Sequence, residues 1–310
     1  MVTRIIQLLL SPLIALAVGV LFLGLSRKII ARIHRRYGPP LYQPVIDVIR
    51  MMSQRSISHG SLFELGVVLA LAGSLVTVLF IPLGGTVICR QNPLAHGVLC
   101  PLSSSGGLLV VMYLMLFGPL GLALGAGDSA NPNASIGVSR KLLLALAYEV
   151  PFLLVILAVM SHYRTISITE IVARQQESGW GVLSVPLSAV AAFLILPAML
   201  GIRPFDLVSA PQEIASGPLA EYGGSYLALL AVQKGVHLFV VIALYVDLFL
   251  GGGVNLATFL VKMLVVFVAA EMIAAVLPRI RIESAVRFCW KWPTALALLQ
   301  MAITVLSKSV

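Results

Sequence analysis

Long apolar stretches recur along this chain of 310 residues, and the segments between them contain most of its basic residues. A bilayer core requires about 20 mainly apolar residues of each α-helix that crosses it. The pattern therefore predicts eight membrane-spanning helices, at residues 3–26, 63–83, 106–126, 141–161, 182–202, 226–250, 256–277 and 289–307. None of the polar segments is long enough to form a soluble domain, so we predict a single all-α membrane domain over residues 1–310.

The composition supports a membrane location and sets the expected orientation. Hydrophobic residues make up 59% of the chain and the mean hydropathy is +1.03, so much of the surface must face lipid. A net charge of +9 can indicate nucleic-acid binding, but here the basic residues lie at the ends of apolar segments, which is typical of membrane topology. Fourteen of the 21 Lys and Arg residues fall after the first, third, fifth and seventh spans, and five fall on the other side. The positive-inside rule then predicts a protein of the prokaryotic cytoplasmic membrane, with these loops in the cytoplasm and both termini outside.

The first predicted cytoplasmic loop is basic and contains an amphipathic segment. It includes Arg35 and Arg36, and the Gly-Pro-Pro sequence at 38–40 ends any helical extension of the first span. Apolar residues recur at helical spacing in the segment 43–52, beside Asp47. This pattern predicts a short helix on the membrane surface. The alternative interpretation is an ordinary basic anchor for the first span.

Recognisable motifs for a metal, cofactor or nucleotide are absent from the sequence. Cys89, Cys100 and Cys289 are far apart, and the five histidines include no pair placed to bind a haem. We therefore expect no catalytic residue, metal or cofactor in this chain itself. Cys89 and Cys100 could form a disulfide if their loop faces an oxidising compartment. Ser135 or Ser139 is expected to cap the fourth span.

Several ionisable residues fall inside predicted spans, where an unpaired charge is costly. They are Glu149 in the fourth span, Lys234, His237 and Asp247 in the sixth, and Glu271 in the seventh. Lys234 and His237 are one helical turn apart and therefore share a face. Such a series could form a proton path, and Glu149 is the leading candidate for a functional role because it lies near the middle of its span. Lys262 lies near a helix start, where a lysine commonly extends to the membrane surface, so it is left outside the path.

A second concentration of charge lies in the polar loop at 201–222, between the fifth and sixth spans. Arg203, Asp206, Glu213 and Glu221 fall within this loop, in a chain where only 11% of residues are charged. A simple connector could be shorter and would not require its several Pro and Gly residues. We interpret the segment as a folded loop that builds a site, with a solvated connector as the alternative.

An ordered set of short motifs extends over most of the chain. The motifs are Arg35-Arg36-Tyr-Gly-Pro39 with Gln43-Pro-x-x-Asp47, Gly137-x-Ser-Arg140 with Tyr148-Glu149, Pro204-Phe-Asp-Leu207 with Gln212-Glu213, Glu221-Tyr222-Gly-Gly, and Pro278-Arg-Ile-Arg281. Together they resemble subunit 1 of respiratory complex I and its counterpart in energy-converting membrane-bound nickel–iron hydrogenases, such as formate hydrogenlyase. Each motif alone is weak, but the ordered set is specific.

The resemblance implies a position where a membrane arm joins a hydrophilic redox arm. In that family, carboxylates and cytoplasmic loops lie where electron transfer is coupled to proton or sodium movement. By matching position, Asp206, Glu213 and Glu221 would be the loop carboxylates, Glu149 the membrane carboxylate, and Arg140 the residue that begins its helix. Lys234, His237, Asp247 and Glu271 complete the predicted coupling residues.

The resemblance also implies partner subunits. We expect these to be contacted by Arg35, Arg36, Asp47, Arg203, Arg279 and Arg281. The expected partners are hydrogenase-like large and small subunits, an iron–sulfur subunit and antiporter-like membrane subunits, all associated with the lipid bilayer and none with nucleic acid. A nickel–iron centre and iron–sulfur clusters would belong to those partners.

One departure from the quinone-reducing members of the family favours the hydrogenase type. Those members have additional glutamates between the Pro-Phe-Asp motif and the retained Gln-Glu pair, whereas this chain has Ser209 and Pro211 there. The arginine also directly precedes Pro204, where the quinone type has one intervening residue. We therefore expect a coupling subunit of a redox-driven ion pump that needs no quinone. The alternatives are the quinone-site subunit of a complex I-like oxidoreductase and, from a different class, a stand-alone secondary transporter, although the two halves of the chain show no clear repeat.

Overall fold

The computed structural model describes residues 2–57, 60–84, 107–129 and 131–309. Over these ranges the regular structure is helical, apart from an isolated bridge between Gly107 and Ser167. The loop with Cys89 and Cys100 lies outside the described residues, so the suggested disulfide stays a prediction. The helices are α1 (Val2–Ile33), α2 (Gln43–Met52), α3 (Ser61–Val78), α4 (Leu108–Met115), α5 (Phe117–Gly127), α6 (Pro132–Tyr163), α7 (Ile168–Ser178), α8 (Gly181–Ser184), α9 (Pro186–Leu200), α10 (Pro211–Ile214), α11 (Gly224–Phe249), α12 (Leu256–Val276) and α13 (Ile282–Ser309). A 3-10 helix, Gly217–Ala220, lies between α10 and α11.

Six helical segments in the described part of the chain are long and apolar enough to cross a membrane. They are α1, α3, α4 together with α5, α6, α11 and α12, and they coincide with six of the eight predicted spans. The fifth predicted span corresponds to α9, a shorter apolar helix of 15 residues, and the eighth lies within α13, which has 28 residues. The predicted all-helical membrane bundle is confirmed.

Prolines explain why two of the spans are interrupted. Pro119 has no amide hydrogen to donate to the Met115 carbonyl, and the helix breaks at Leu116 into α4 and α5. Pro186 disfavours helical backbone at Val185, which has φ −131° and ψ 62°, and thereby separates α8 from α9. Both breaks lie inside segments that hydropathy alone describes as continuous.

The predicted start of the fourth span is wrong, because α6 begins at Pro132 instead of residue 141. Asn131 caps this helix by accepting a hydrogen bond at 3.0 Å from the backbone amide two residues further on. The sequence had suggested Ser135 or Ser139 for this role. Pro132 suits the first helical position, because an amide hydrogen there would have no partner within the helix.

Other helices also continue further than the hydropathy pattern predicts. α1 ends at Ile33 instead of residue 26, and α13 begins at Ile282 instead of residue 289. Because α6 begins early, Arg140 and Lys141 lie more than about two turns inside it, so Arg140 does not begin this helix as predicted. Several of the basic residues assigned to loops therefore belong to helices, which fixes their positions.

α11 is the central helix of the bundle. It packs against α1, α3, α9 and α12, while α2 lies against its first turns. Its side chains at 238–244 are all buried. α1 and α11 approach closely at two glycines, because a β-carbon on Gly19 would lie 2.3 Å from the Gly235 carbonyl oxygen. Backbone contact of this kind requires a residue without a side chain, so Gly19 does not accept substitution unless the two helices separate.

The connections between helices gather at two ends of the bundle. At one end, which we call the basic face, lie the segments 27–57, 128–129, 131–140, 201–223 and 277–287. Ion pairs join Arg140 to Glu213 and Arg279 to Asp206 there. At the other end, which we call the opposite face, the residues that precede α4 and α7 form the isolated bridge. The loops after the odd-numbered spans therefore share one face, and the compartment that this face meets stays a prediction.

Candidate functional site

Asp206 holds the loop at 201–223 against the connection between α12 and α13. Its carboxylate accepts hydrogen bonds from Arg279 Nη2 and from the Ser209 hydroxyl, each at 2.8 Å. The Ile280 amide also donates to the Pro204 carbonyl at 3.2 Å. The Asp206 and Arg279 side chains are 24% and 23% exposed, so they form a largely buried ion pair. The sequence indicated different roles for these two residues, and the structure brings them together.

Two further contacts join the same loop to the beginning of α6. Glu213 accepts a hydrogen bond from Arg140 Nη1 at 2.8 Å, although Glu213 itself is 56% exposed. Glu221 accepts a hydrogen bond from the Asn131 side-chain amide at 2.6 Å. Asn131 therefore caps α6 and also binds the loop. An Asn directly before Pro132 is typical of the start of a helix, and sequence reasoning missed this signal. Each of the three loop carboxylates predicted from the sequence thus has a polar partner.

Backbone geometry and an aromatic contact shape the end of this loop. Residues 215–217 have positive φ angles of 48°, 72° and 55°, and they turn the chain towards α6. Tyr222 stacks on Phe63 with the ring centroids 4.4 Å apart. Burial, and then the charge of Glu221, raises the pKa of Tyr222 to about 12, so its phenol remains neutral. The segment is therefore a folded loop, as the sequence predicts, and not a solvated connector.

The predicted surface helix is present as α2, with the predicted bounds. Asp47 on this helix accepts hydrogen bonds from Gln43 and from Arg27 of α1, both at 3.0 Å. These two partners, Gln43 first, lower the pKa of Asp47, which therefore remains ionised at neutral pH. Asp47 was grouped with the partner-binding residues, but in the structure it connects α2 to α1.

A cavity of about 370 Å³ lies between α1, α2 and α11 on the basic face. Its polar lining comes from Arg27, Asp47, Arg50 and Gln54, and its apolar lining from Val20, Leu23, Pro44, Val48, Met51 and Ala231. Apolar walls with a few charged groups suit an amphiphilic molecule. Sequence patterns do not reveal this cavity, because its lining comes from three separate helices.

Ionisable residues from α6, α11 and α12 lie near one another, and their burial ranges from the exposed Lys234 to the buried Glu271. Lys234 and His237 lie one turn apart on α11, as predicted. Lys141 of α6 lies close enough to both to interact with their charges, and Lys234 interacts similarly with Glu271 of α12. Sequence reasoning counted Lys141 only among the basic residues at the end of the fourth span and so missed it. We call Lys141, Lys234, His237 and Glu271 the central cluster.

Glu271 is the acid of the central cluster, and it is only 1% exposed. Neither carboxylate oxygen forms a hydrogen bond with a described residue, although the Ser26 hydroxyl lies beside it without a well-formed bond. His237 Nε2, by contrast, lies 3.1 Å from the Met199 carbonyl oxygen. A buried carboxylate without a partner is costly when it is ionised, so Glu271 is suited to hold a proton.

Glu149 borders a small cavity of about 10 Å³. The cavity has room for about one water molecule, and its other lining residues are Met112, Met115, Leu116, Tyr148, Phe152 and Met199. Met199 also contacts His237 through its carbonyl, so it neighbours both Glu149 and the central cluster. Along α6, Glu149 lies roughly 12 Å beyond Lys141. The structure thus places Glu149 near the central cluster, with Met199 as their shared neighbour.

Asp247 is separated from these residues. It is fully buried near the end of α11 on the opposite face, about 15 Å from His237 along the helix. The intervening residues 238–244 are buried and apolar. Lys262 of α12 lies beside Asp247, and its ammonium donates to two carbonyls just beyond the end of α11. The predicted series of ionisable residues therefore divides into two regions.

Exposed arginines on the basic face are candidates for contacts with partner subunits. Arg35, Arg36, Arg203 and Arg281 are all exposed. Arg279 differs from them because it is paired with Asp206 within the chain. The structure therefore divides the predicted partner-binding arginines into four that are exposed and one that holds the loop.

Comparisons with known proteins agree on one family. The model of the family NADHdh, NADH dehydrogenase, matches residues 5–305. Hydrogenase-4 component C of Escherichia coli (strain K12) is 31% identical over 287 residues, which cover 87% of this chain and 86% of that protein. A subunit of the NADH-quinone oxidoreductase of Protochlamydia amoebophila (strain UWE25) is 30% identical over 298 residues, which cover 90% of this chain and 90% of that protein. Among solved structures, a chain of the membrane-bound sulfane sulfur reductase (MBS), an archaeal respiratory membrane complex, is 38% identical with a TM-score of 0.90, covering 97% of this chain and 99% of that chain.

Proposed function

The chain belongs to the NADH dehydrogenase family and is a membrane subunit of a complex I-like or hydrogenase-type complex, and we propose that it couples electron transfer in a hydrophilic arm to proton or sodium translocation. The observation that carries this proposal is a series of charged residues that leads from the folded loop into the membrane. Glu213 binds Arg140, and the next residue, Lys141, belongs to the central cluster. Glu271, at the buried end of that cluster, is suited to hold a proton.

Charge changes at the loop can reach the central cluster by electrostatics. An electron that arrives at a redox centre beside the basic face attracts positive charge towards that centre. Arg140 holds Glu213, so a shift in this pair alters the field at the neighbouring Lys141. A change at Lys141 alters the charge balance of the central cluster and thereby decides whether Glu271 keeps or releases its proton. Glu149 supplies or accepts protons from the adjacent cavity.

We propose that the electrons do not pass to quinone at this subunit. Ser209 and Pro211 occupy the positions of the acidic residues found in the quinone type, and Ser209 instead donates a hydrogen bond to Asp206. The similarity to hydrogenase-4 component C and to a chain of the sulfane sulfur reductase supports an electron acceptor in the hydrophilic arm.

The proposed partners are hydrogenase-like large and small subunits, an iron–sulfur subunit and antiporter-like membrane subunits, in a prokaryotic cytoplasmic membrane. Among the described residues, no group of three or more His, Cys, Asp or Glu side chains is placed to hold a metal ion. The nickel–iron centre and iron–sulfur clusters that the family resemblance implies are proposed for the partner subunits.

Quinone binding is a second candidate function, favoured by the cavity between α1, α2 and α11. Its volume of about 370 Å³ and its apolar walls suit an amphiphilic ligand, and one relative is named as a subunit of an NADH-quinone oxidoreductase. The two candidates are distinguished by assaying the purified complex with protons, sulfane sulfur and a short-chain quinone as electron acceptors. Quinone-dependent turnover that is abolished by Met51→Trp, which fills the cavity, would establish the second candidate.

The coupling proposal is tested with Glu149→Gln in the whole complex. This substitution keeps the shape and hydrogen-bonding capacity of the side chain but removes its titratable proton. We expect assembly to be retained, and ion uptake into vesicles to fall more than turnover with an artificial acceptor. Asp206→Asn and Glu213→Gln should reduce both, because these residues hold the loop. Full translocation per electron in Glu149→Gln would remove Glu149 from the proposed mechanism.

Contact with the hydrophilic arm is tested by charge reversal on the basic face. Arg36→Glu combined with Arg281→Glu should weaken binding of the soluble subunits without unfolding the bundle, because both side chains are exposed. Glu177→Lys on the opposite face is the matched control. Unchanged co-purification of the soluble subunits in high salt would contradict this role, and cysteine labelling at positions 36 and 281 from outside the cell would contradict the orientation.

A further inference from the structure

The opposite face contains a buried acid that the proposed coupling route does not use. Asp247 is fully buried, and neither oxygen of its carboxylate forms a hydrogen bond with a described residue. Its backbone carbonyl, in contrast, accepts a hydrogen bond from the Gln175 side chain at 2.9 Å. Buried polar groups in folded proteins almost always have partners, so this carboxylate requires an explanation.

The polar groups around Asp247 are engaged with other atoms. The Gln175 amide nitrogen donates to two carbonyls of α11, and its oxygen accepts from the amides of Gly181 and Gly251 at 2.9 and 3.0 Å. The Tyr245 hydroxyl donates to a carbonyl of α9 at 3.4 Å. The neighbouring side chains described in the structure therefore offer the Asp247 carboxylate no hydrogen bond.

Among the described residues, Lys262 is the charged group that acts on Asp247, and the charged side chains of α7 are directed elsewhere. On α7, Arg174 donates to a carbonyl at the end of α6, Glu170 accepts from the hydroxyl of a neighbouring threonine, and Glu177 is exposed. α9 contains no ionisable residue. The electrostatic environment of the Asp247 carboxylate is therefore set mainly by Lys262.

Lys262 does not form an ion pair with Asp247 in this structure. Its ammonium donates to the carbonyls of Leu250 and Gly252 at 2.6 and 2.7 Å, and it lies 5.2 Å from the centroid of the Trp180 ring. Carbonyls at the end of a helix carry partial negative charge, which favours a cation there. Gly252 is adjacent to the acid as well, because a β-carbon on this glycine would lie 3.1 Å from Asp247 Oδ1.

These positions give the lysine two alternative partners within a short distance. One is the pair of helix-end carbonyls, and the other is the carboxylate beside Gly252. A lysine has a flexible stem and a compact charge, so rotation of its side chain can move the ammonium between them. An ionised carboxylate at this depth requires a counterion, whereas a neutral carboxylic acid does not.

We propose that Asp247 and Lys262 form a proton-exchange site on the opposite face. Asp247 holds a proton as a neutral acid while Lys262 binds the carbonyls of Leu250 and Gly252. When the proton leaves to water, the ammonium moves to the carboxylate and an ion pair forms. The net change is one proton released and no electron transferred. Trp180, which is 53% exposed, lies over the ammonium at the surface of the opposite face.

This site is distinct from the proposed coupling route. The buried apolar residues 238–244 separate it from the central cluster, so its proton exchanges with the opposite face whether or not the redox arm is bound. Failure of the coupling proposal would leave the site intact, because proton exchange at Asp247 can be measured without electron transfer.

Infrared spectroscopy of the whole complex in lipid vesicles tests for the proton. A protonated carboxyl group has a C=O stretching band that shifts in D₂O and disappears on ionisation. We expect one such band at neutral pH to be absent in Asp247→Asn and retained in Glu177→Gln, which removes an exposed carboxylate from the same face. If Asp247→Asn removes no band at any pH, Asp247 is ionised throughout and the proposal is overturned.

Hydrogen exchange tests the movement of Lys262. The amides of residues 250–252 are bonded to the Val246 carbonyl and to Gln175, in the turn whose carbonyls bind Lys262. The measured rates are first corrected for intrinsic base catalysis. In the wild type we then expect the protection of these amides to fall at alkaline pH on the order of tenfold, because the hydrogen bonds from the charged Lys262 ammonium to this turn are lost. Protection should stay constant in Asp247→Asn, where the lysine has no carboxylate to join, and should be low at every pH in Lys262→Gln. Identical pH profiles for the wild type and Asp247→Asn would exclude the movement.

Discussion

The carboxylates of the basic face and those inside the bundle have opposite environments. On the basic face, each of the four acids singled out from the sequence has a polar partner, at Asp47, Asp206, Glu213 and Glu221. Inside the bundle, Glu271 and Asp247 are almost fully buried, and their carboxylates make no hydrogen bond with a described residue. Near water an ion pair costs little, whereas an unpaired charge in the interior is expensive. The comparison teaches that the first group holds the loop and α2 in place and responds to charge, while the second group is suited to bind protons.

The largest effect is expected from Glu271→Gln, which removes a buried proton site but nearly preserves the shape. We expect the complex to assemble with near-normal stability and to lose most of the ions translocated per electron, because the exchangeable proton of the central cluster is gone. Ion uptake in vesicles, measured beside turnover with an artificial acceptor, checks this. Glu283→Gln, at an exposed position at the beginning of α13, is the control. A complex that is strongly destabilised by Glu271→Gln would show that Glu271 is ionised and structurally paired, and would break the comparison.

A smaller effect, on stability, is expected at the ion pair of Asp206 and Arg279. Arg279→Gln leaves the largely buried Asp206 carboxylate with the Ser209 hydroxyl as its remaining donor. We expect this to lower the free energy of unfolding by on the order of 2 kcal/mol. The double variant Arg279→Gln with Asp206→Asn should lose less free energy of unfolding than the two single variants together, because neither side chain then carries an unpaired charge. Thermal unfolding of the four proteins in the same lipid or detergent measures the coupling energy. Strict additivity would show that the two residues do not interact.

The pH dependence of α2 is expected to follow Asp47. Its pKa is held below the ordinary value of 3.8 by Gln43 and Arg27, so the folded state favours the ionised form. The stabilisation is therefore complete above about pH 4 and is lost as the pH falls through the lowered pKa. Hydrogen exchange of the α2 amides should accelerate below that pH in the wild type. In Asp47→Asn this acceleration of hydrogen exchange at low pH should be absent. If the variant still shows it, another carboxylate is responsible.

The smallest effect on stability is expected at the pair of Arg140 and Glu213. Glu213 is 56% exposed, so Glu213→Gln should change the free energy of unfolding by no more than about 1 kcal/mol. Because Arg140 precedes Lys141, we expect the same variant to reduce ion translocation more clearly than it reduces stability. A variant with normal translocation per electron would show that the loop affects the central cluster by a route other than Arg140.

The sequence predicted the class of fold and the family, because both depend on patterns that are local or linear. Hydropathy depends only on which residues are consecutive, and it located the six helical segments that are long and apolar enough to cross a membrane. The helical spacing of apolar residues located α2. It could not locate the breaks at Leu116 and Val185, because a helix breaks through the geometry of a particular proline and not through average polarity. The start of α6 was missed for a similar reason, since a polar segment beginning with Asn131 and Pro132 is helical despite its low hydropathy.

Only the tertiary structure decided which ionisable residues are partners. The sequence indicated Asp206 and Arg279, which lie 73 positions apart, without any sign that they meet, because side-chain contacts depend on how helices pack. It placed Asp247 in one series with His237, although the apolar residues 238–244 of the same helix lie between them, and it gave no sign that packing brings Lys262 to Asp247. It also counted Lys141 only as a basic residue at the end of a span, where its charge would have been solvated, instead of placing it in the central cluster. Charge patterns along a chain identify candidate groups, but the energy of each charge depends on its burial and partners, which are fixed only when the helices assemble.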